Sequence, residues 1–151
     1  MSIVLENIEG MKRKEISVHA IVGANDSTFI VALKKSELRP QDPFSEYLFC
    51  RLTVSGESVS EVIVPFVEPK HLNLTPPSLS ASLTRTEGNL YQLNISTDIL
   101  ARYVFVDSPN REIYLSDNYF DILPHESHRV EIRSKSGIDL SDLVIRSYAT
   151  S

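Results

Sequence analysis

Tryptophan is absent from this sequence and cysteine occurs once, at Cys50. A single thiol can form neither an internal disulfide nor a multi-cysteine metal site. The lack of tryptophan weighs against a stand-alone sugar-binding module, which stacks its ligands on exposed rings. Glycine is scarce, with five in 151 residues, and no Gly-rich phosphate loop and no G-x-S-x-G nucleophile elbow occur. No apolar run approaches the roughly 20 residues needed to cross a bilayer. The start, Met1-Ser2-Ile3-Val4-Leu5-Glu6, lacks the basic region and cleavage site of a signal peptide; export of a longer parent stays open. Basic residues form no patch, and the formal net charge is -5, so nucleic acid is not an expected partner. The length is also too small for a (β/α)8 barrel of roughly 250 residues.

What is present is an ordinary globular composition, 42% hydrophobic and 23% charged, arranged as short alternating runs between turn residues. Ile16–Val22 and Thr28–Leu33 read as strands separated by Gly23-Ala24-Asn25-Asp26. Tyr47–Val54 and Val59–Val67 read as a hairpin around Ser55-Gly56-Glu57-Ser58. Cys50 shares a face with Leu48, Leu52 and Val54 and reads as a small core residue. Pro65 removes a ladder donor, which places it on an edge strand or at a strand end.

Three prolines in the ten residues 68–77 mark an extended connector. The expected organisation is therefore a partial β-sandwich over 1–68, a Pro-rich linker over 69–77 and a second sandwich over 78–151. The second half carries about seven strands at the turn spacing of an immunoglobulin-like sandwich: 78–84, 90–96, 102–106, 111–115, a segment at 116–121, 129–133 and 143–149. Asp98-Ile99-Leu100-Ala101-Arg102 could also open a short helical turn. With about five strands, the first half is a thin sandwich that lacks a first strand or two.

The carboxylates Asp107, Glu112, Asp117, Asp121 and Glu126 are the candidates for acid–base or cation chemistry. Their positions beside turns point first to backbone-holding roles, and an oxygen-only cation site needs about six to eight converging ligands. His19, His71, His125 and His128 lack the spacing of a metal pair and read as exposed loop residues. Asn25, Asn73 and Asn94 head N-x-[ST] triplets, which are glycan acceptors only in a secreted chain. Tyr103, Phe105, Tyr114, Tyr119 and Phe120 form an aromatic-rich stretch that reads as core and corner packing, or as a contact face for a neighbouring domain.

The run Ala101-Arg102-Tyr103-Val104-Phe105-Val106-Asp107, followed by Leu115-Ser116-Asp117-Asn118-Tyr119-Phe120-Asp121-Ile122-Leu123-Pro124, resembles the C-terminal immunoglobulin-like domain of glycoside hydrolase family 2 β-mannosidases. There an A-R-x-V-F-L strand precedes S-D-N-Y-F-D-L-L-P-G-E. Here His125 stands in place of the Gly; if that corner needs a positive φ, His is the costlier occupant. Ala24-Asn25-Asp26-Ser27, Ser36-Glu37-Leu38 and Val64-Pro65-Phe66-Val67-Glu68-Pro69-Lys70-His71-Leu72 resemble the preceding sandwich domain and its F-x-x-P-K-x-L connector.

The resemblance implies a non-catalytic C-terminal segment of a retaining exo-β-mannosidase or related exo-β-glucosaminidase, whose catalytic glutamates lie in a separate barrel. No catalytic, cofactor-binding or metal residue is carried over to this chain, and no cofactor is expected. The implied partner is the barrel of the same parent, with a glycan ligand as the lesser expectation. Such a parent is expected to be exported or lysosomal. The alternatives are an independent carbohydrate-binding module and an adhesion-type domain pair.

Overall fold

The structure, a computed structural model, describes residues 1–34 and 37–150, with the backbone alone at Thr150. Ser36 of the upstream resemblance lies outside them. The chain divides into two compact units, Met1–Asn73 and Leu74–Ser151, and among the described residues all regular structure beyond single 3-10 turns is strand.

The first unit holds one antiparallel sheet in the order β2-β1-β3-β4, from β1 (Ser2–Asn7), β2 (Lys12–Ser17), β3 (Glu46–Val54) and β4 (Glu57–Pro65). β1 is a strand that alternation does not reveal. Ile3, Val4 and Leu5 are all buried, so both faces are covered and the strand reads as a continuous apolar run. Asn7 Oδ1 accepts the Glu9 and Met11 amides at 3.2 and 2.8 Å and ties the β1–β2 turn. Two buried carboxylates are paired: Glu6 accepts the Tyr47 hydroxyl at 2.7 Å, and Glu46 meets Arg13 at 2.7 Å.

Of the strand expected over 16–22 only Ile16 and Ser17 lie in a strand, the end of β2, and the one expected over 28–33 does not form: residues 18–34 are irregular. Val18 still exchanges two backbone bonds with Met1, each at 2.8 Å, but beyond it the segment pairs with no strand among the described residues. Ile21 and Phe29 stand 97% and 80% exposed; alternation specifies a strand only where a second layer buries one face. The expected hairpin is present. Ser55 and Gly56 have φ of 53° and 89° between Val54 and Glu57, as a two-residue primed turn requires. Pro65 ends β4, an edge strand. Cys50 lies opposite Ile3 and Val62 and is half-buried. Pro69–His71 form a 3-10 turn, and the Asn73 amide bonds to Phe44 O at 2.8 Å.

The second unit is a sandwich of a four-stranded sheet, β5-β6-β10-β8, and a three-stranded sheet, β11-β7-β9. The strands are β5 (Leu79–Glu87), β6 (Leu90–Thr97), β7 (Ala101–Asp107), β8 (Tyr114–Leu115), β9 (Phe120–Ile122), β10 (Ser127–Arg133) and β11 (Val144–Arg146). Period-2 burial runs cleanly along β6, and its Tyr91, Leu93 and Ile95 meet Val130 and Ile132 of β10 and Val104, Val106, Phe120 and Ile122 of the opposite sheet in one core. No helical turn forms near residue 98; β7 begins at Ala101 instead, its ladder to β9 outweighing a weak local helical period.

Candidate functional site

The segment joining β8, β9 and β10 is built around three side chains that repair backbone. β7 and β9 pair at Ala101↔Ile122 and Val104↔Phe120, so β7 carries one extra residue there, a β-bulge. Tyr103, inside the bulge, has a φ of 51°. The ladder cannot reach its amide, and Asp121 Oδ1 accepts it at 2.9 Å while accepting Arg102 Nε at 2.9 Å. Arg102 is 6% exposed, and its Nη1 is buried without a hydrogen-bond partner among the described residues. Its Nη2 donates to the Tyr103 hydroxyl at 3.3 Å, and its guanidinium lies 4.8 Å from the Tyr103 ring centre.

β9 is only three residues long and stops short of Val106. Asn118 takes its place: Oδ1 accepts the Val106 amide at 2.8 Å and Nδ2 donates to the Val106 carbonyl at 3.0 Å. Asp117 accepts the Asn118 amide at 2.8 Å and lies 3.0 Å from His128 Nε2. Leu123-Pro124-His125-Glu126 closes on a 3.0 Å bond from the Glu126 amide to Leu123 O. Pro at the second position and a φ of 62° at His125 fit a type II turn, whose third position favours Gly. This is the positive φ that the Gly-to-His difference suggested.

The sequence candidates therefore take mostly structural places. Asp107 accepts the Ser108 amide at 2.8 Å, and Glu112 accepts the Tyr114 hydroxyl at 2.6 Å, which raises the Tyr114 pKa through that bond and the nearby charge. Glu126 is exposed. Among the described residues no group of three or more His, Cys, Asp or Glu side chains could hold a metal ion. His19, His71 and His125 are exposed as expected, whereas His128 is a half-buried β10 residue whose ring stacks on Phe120 at 3.9 Å. Of the sequon residues, Asn25 and Asn73 are exposed in loops and Asn94 lies within β6.

The aromatic stretch departs from the core-packing expectation and leaves the contact-face alternative open. Phe120 is buried, but Tyr103, Tyr114 and Tyr119 are 40%, 57% and 67% exposed. Val104 and Val106 point into the core, so Tyr103 and Phe105 lie on the outer face of β7. Phe105 stacks against Tyr119, with centres 5.8 Å apart and planes 15° apart, and Tyr103 meets Tyr148 edge-on at 6.1 Å. Tyr119 itself has a φ of 61°. This outward cluster was not legible from the residue types, because a bulge decides which side each ring takes.

A groove of about 530 Å3 lies elsewhere on the same unit, lined by Leu83, Arg85, Tyr91, Arg111, Ile138 and Asp142 among others. Its charges are largely engaged: Arg85 Nε donates to Gly88 O at 2.8 Å, Arg111 lies 3.7 Å from Asp142, and Asp142 accepts the Asp139 amide at 2.9 Å.

Comparison with known proteins finds a matching family and similar solved structures. Residues 74–151 match the Ig_mannosidase family, described as an Ig-fold domain. Among solved structures, a β-D-mannosidase from Dictyoglomus thermophilum is similar to this chain in fold, with a TM-score of 0.73 at 22% sequence identity. That likeness covers 97% of this chain and 18% of the mannosidase chain. No curated protein matches. No helix among the described residues is long and apolar enough to cross a membrane.

Proposed function

The chain belongs to the Ig_mannosidase family of Ig-fold domains through residues 74–151, and from that membership we propose that it is the non-catalytic C-terminal segment of a retaining exo-β-mannosidase-type glycoside hydrolase. Its task is to pack on and support a (β/α)8 barrel carried elsewhere in the parent chain. The proposed organisation is a partial sandwich over 1–68, a linker over 69–77 and an Ig-like sandwich over 78–151. The observation that carries the reading is the employment of the candidate carboxylates: Asp117 and Asp121 hold backbone amides and partner side chains, and Asp107 holds a turn. A retaining glycosidase instead needs two carboxyl groups about 5 Å apart and free to act on one sugar. We assign no catalytic, cofactor-binding or metal residue to this chain. Exposed Val59, Val62 and Val64 of β4 supply apolar surface of the kind a supporting segment buries against a larger body.

The test is incubation of the purified chain with p-nitrophenyl β-mannoside and p-nitrophenyl β-glucosaminide. No release above the buffer blank is expected. Release that co-purifies with the chain and saturates with substrate overturns the reading.

A further inference from the structure

The geometry points to a carbohydrate-binding face on the outer side of the β11-β7-β9 sheet, taking uncharged pyranose units against Tyr119 and Tyr103. Four rings gather there in two touching pairs, Phe105 with Tyr119 and Tyr103 with Tyr148. The three most exposed of them are tyrosines, at 40%, 52% and 67% for Tyr103, Tyr148 and Tyr119, while the single phenylalanine is the half-buried one. The surface therefore offers ring surface edged by hydroxyls, with the Tyr103 hydroxyl already accepting Arg102 Nη2 and the Arg102 guanidinium against its ring. That matches a pyranose, which has an apolar C–H face and a rim of hydroxyls.

The fringe is polar in the same sense. Arg146 pairs in register with Phe105, so it lies on this face, and it is exposed and forms no ion pair among the described residues. Asp107 follows on the same side of β7, with Oδ1 on the Ser108 amide. Charged groups are depleted at the centre of protein–protein interfaces, whereas a sugar hydroxyl can donate to the carboxylate and accept from the guanidinium.

The rings are also held in place before any ligand arrives. Tyr103 and Tyr119 both adopt left-handed backbone conformations, which cost a bulky residue energy. Asp121 fixes the Tyr103 amide, and Asn118 accepts the Tyr119 amide at 3.1 Å. Rings fixed by backbone and by mutual stacking lose little freedom on binding. The absence of tryptophan is thus answered by a cluster of tyrosines.

This binding role goes beyond the supporting role proposed above and does not depend on it. The experiment is titration of the 151-residue chain with β-1,4-mannotetraose and, separately, cellotetraose, followed by calorimetry and by tyrosine ring NMR signals. Saturable binding of at least one, at a Kd of roughly millimolar strength, is expected. Tyr119→Gly suits the positive φ and should keep the fold while weakening binding about tenfold or more. Tyr119→Phe should stay within about threefold of the parent chain, and Arg146→Gln should weaken binding less than Tyr119→Gly does. Absence of binding by either sugar, or binding that Tyr119→Gly leaves intact, overturns the proposal. So does concentration-dependent self-association lost in Tyr119→Gly, which would make the face a contact between copies.

Discussion

The carboxamide of Asn118 is hydrogen-bonded to both main-chain groups of Val106, accepting from the amide at 2.8 Å and donating to the carbonyl at 3.0 Å. One side chain thus extends the sheet past the end of a three-residue strand. It also explains why an asparagine, with one donor group and one acceptor on a short stem, sits in the middle of the S-D-N-Y-F-D run.

Replacing Asn118 by Ala strands the amide and carbonyl of buried Val106. A loss of about 2–3 kcal/mol in the stability of the second unit is expected, read as an earlier urea midpoint. Asn118→Asp retains the acceptor but opposes a carboxylate to the Val106 carbonyl, so it should also destabilise.

The Arg102–Asp121 pair is nearly desolvated on the arginine side. Asp121→Ala leaves a buried guanidinium without its counter-ion and the Tyr103 amide without its acceptor, at a cost of about 3 kcal/mol or more. The double variant Arg102→Met, Asp121→Asn removes the charge as well as the pair and should lose clearly less. Thermal unfolding of the single and double variants checks this; equal losses would sink the argument from an uncompensated charge.

His125 occupies a turn position with a φ of 62°. His125→Gly relieves left-handed strain and should raise stability by about 0.5–1 kcal/mol after the entropy cost of glycine. A higher melting temperature with unchanged circular dichroism is the expected observation.

Hydrogen bonding of the Ser78 amide to Asp98 Oδ1 at 2.8 Å holds the Asp98 carboxyl below its ordinary pKa. A folded-state pKa below the unfolded one contributes stability that is complete above the unfolded value and is lost as pH falls through the folded value. Asp98→Asn should therefore flatten the acid limb of the stability–pH curve below about pH 4 and leave the neutral region's slope unchanged.

Burial pushes the Cys50 thiol above its ordinary pKa. The thiolate is the reactive form, so alkylation by iodoacetamide at pH 7 should run slower than for a free cysteine peptide. It should approach the peptide's rate in urea. A native rate equal to that of the peptide would contradict the half-buried placement.

Much of the architecture was present in the chain's local pattern. The Ser55-Gly56 hairpin, the edge position of Pro65, the period-2 burial of β6 and the strained corner at His125 all follow from the nearest few residues, and short-range sterics act at that range. The family resemblance rested on the 101–107 and 115–124 runs, where side chains such as Asn118 and Asp121 have fixed geometric duties. Local pattern failed at β1, buried on both faces and so without alternation, and at residues 19–34, which alternate but pair with no strand among the described residues.

The outward face of the second unit belongs wholly to tertiary structure. Composition places Tyr103, Phe105 and Tyr119 near one another in sequence, but side-chain direction in a strand reverses with each residue, so one inserted residue changes which rings are buried. The bulge at Tyr103 is set by where β9 pairs across some 20 residues of chain and by the hold of Asp121 on the freed amide. The sequence by itself determined an all-β chain with an Ig-like second half; long-range pairing decided that Tyr103 and Tyr119 face water while Tyr91 joins the core.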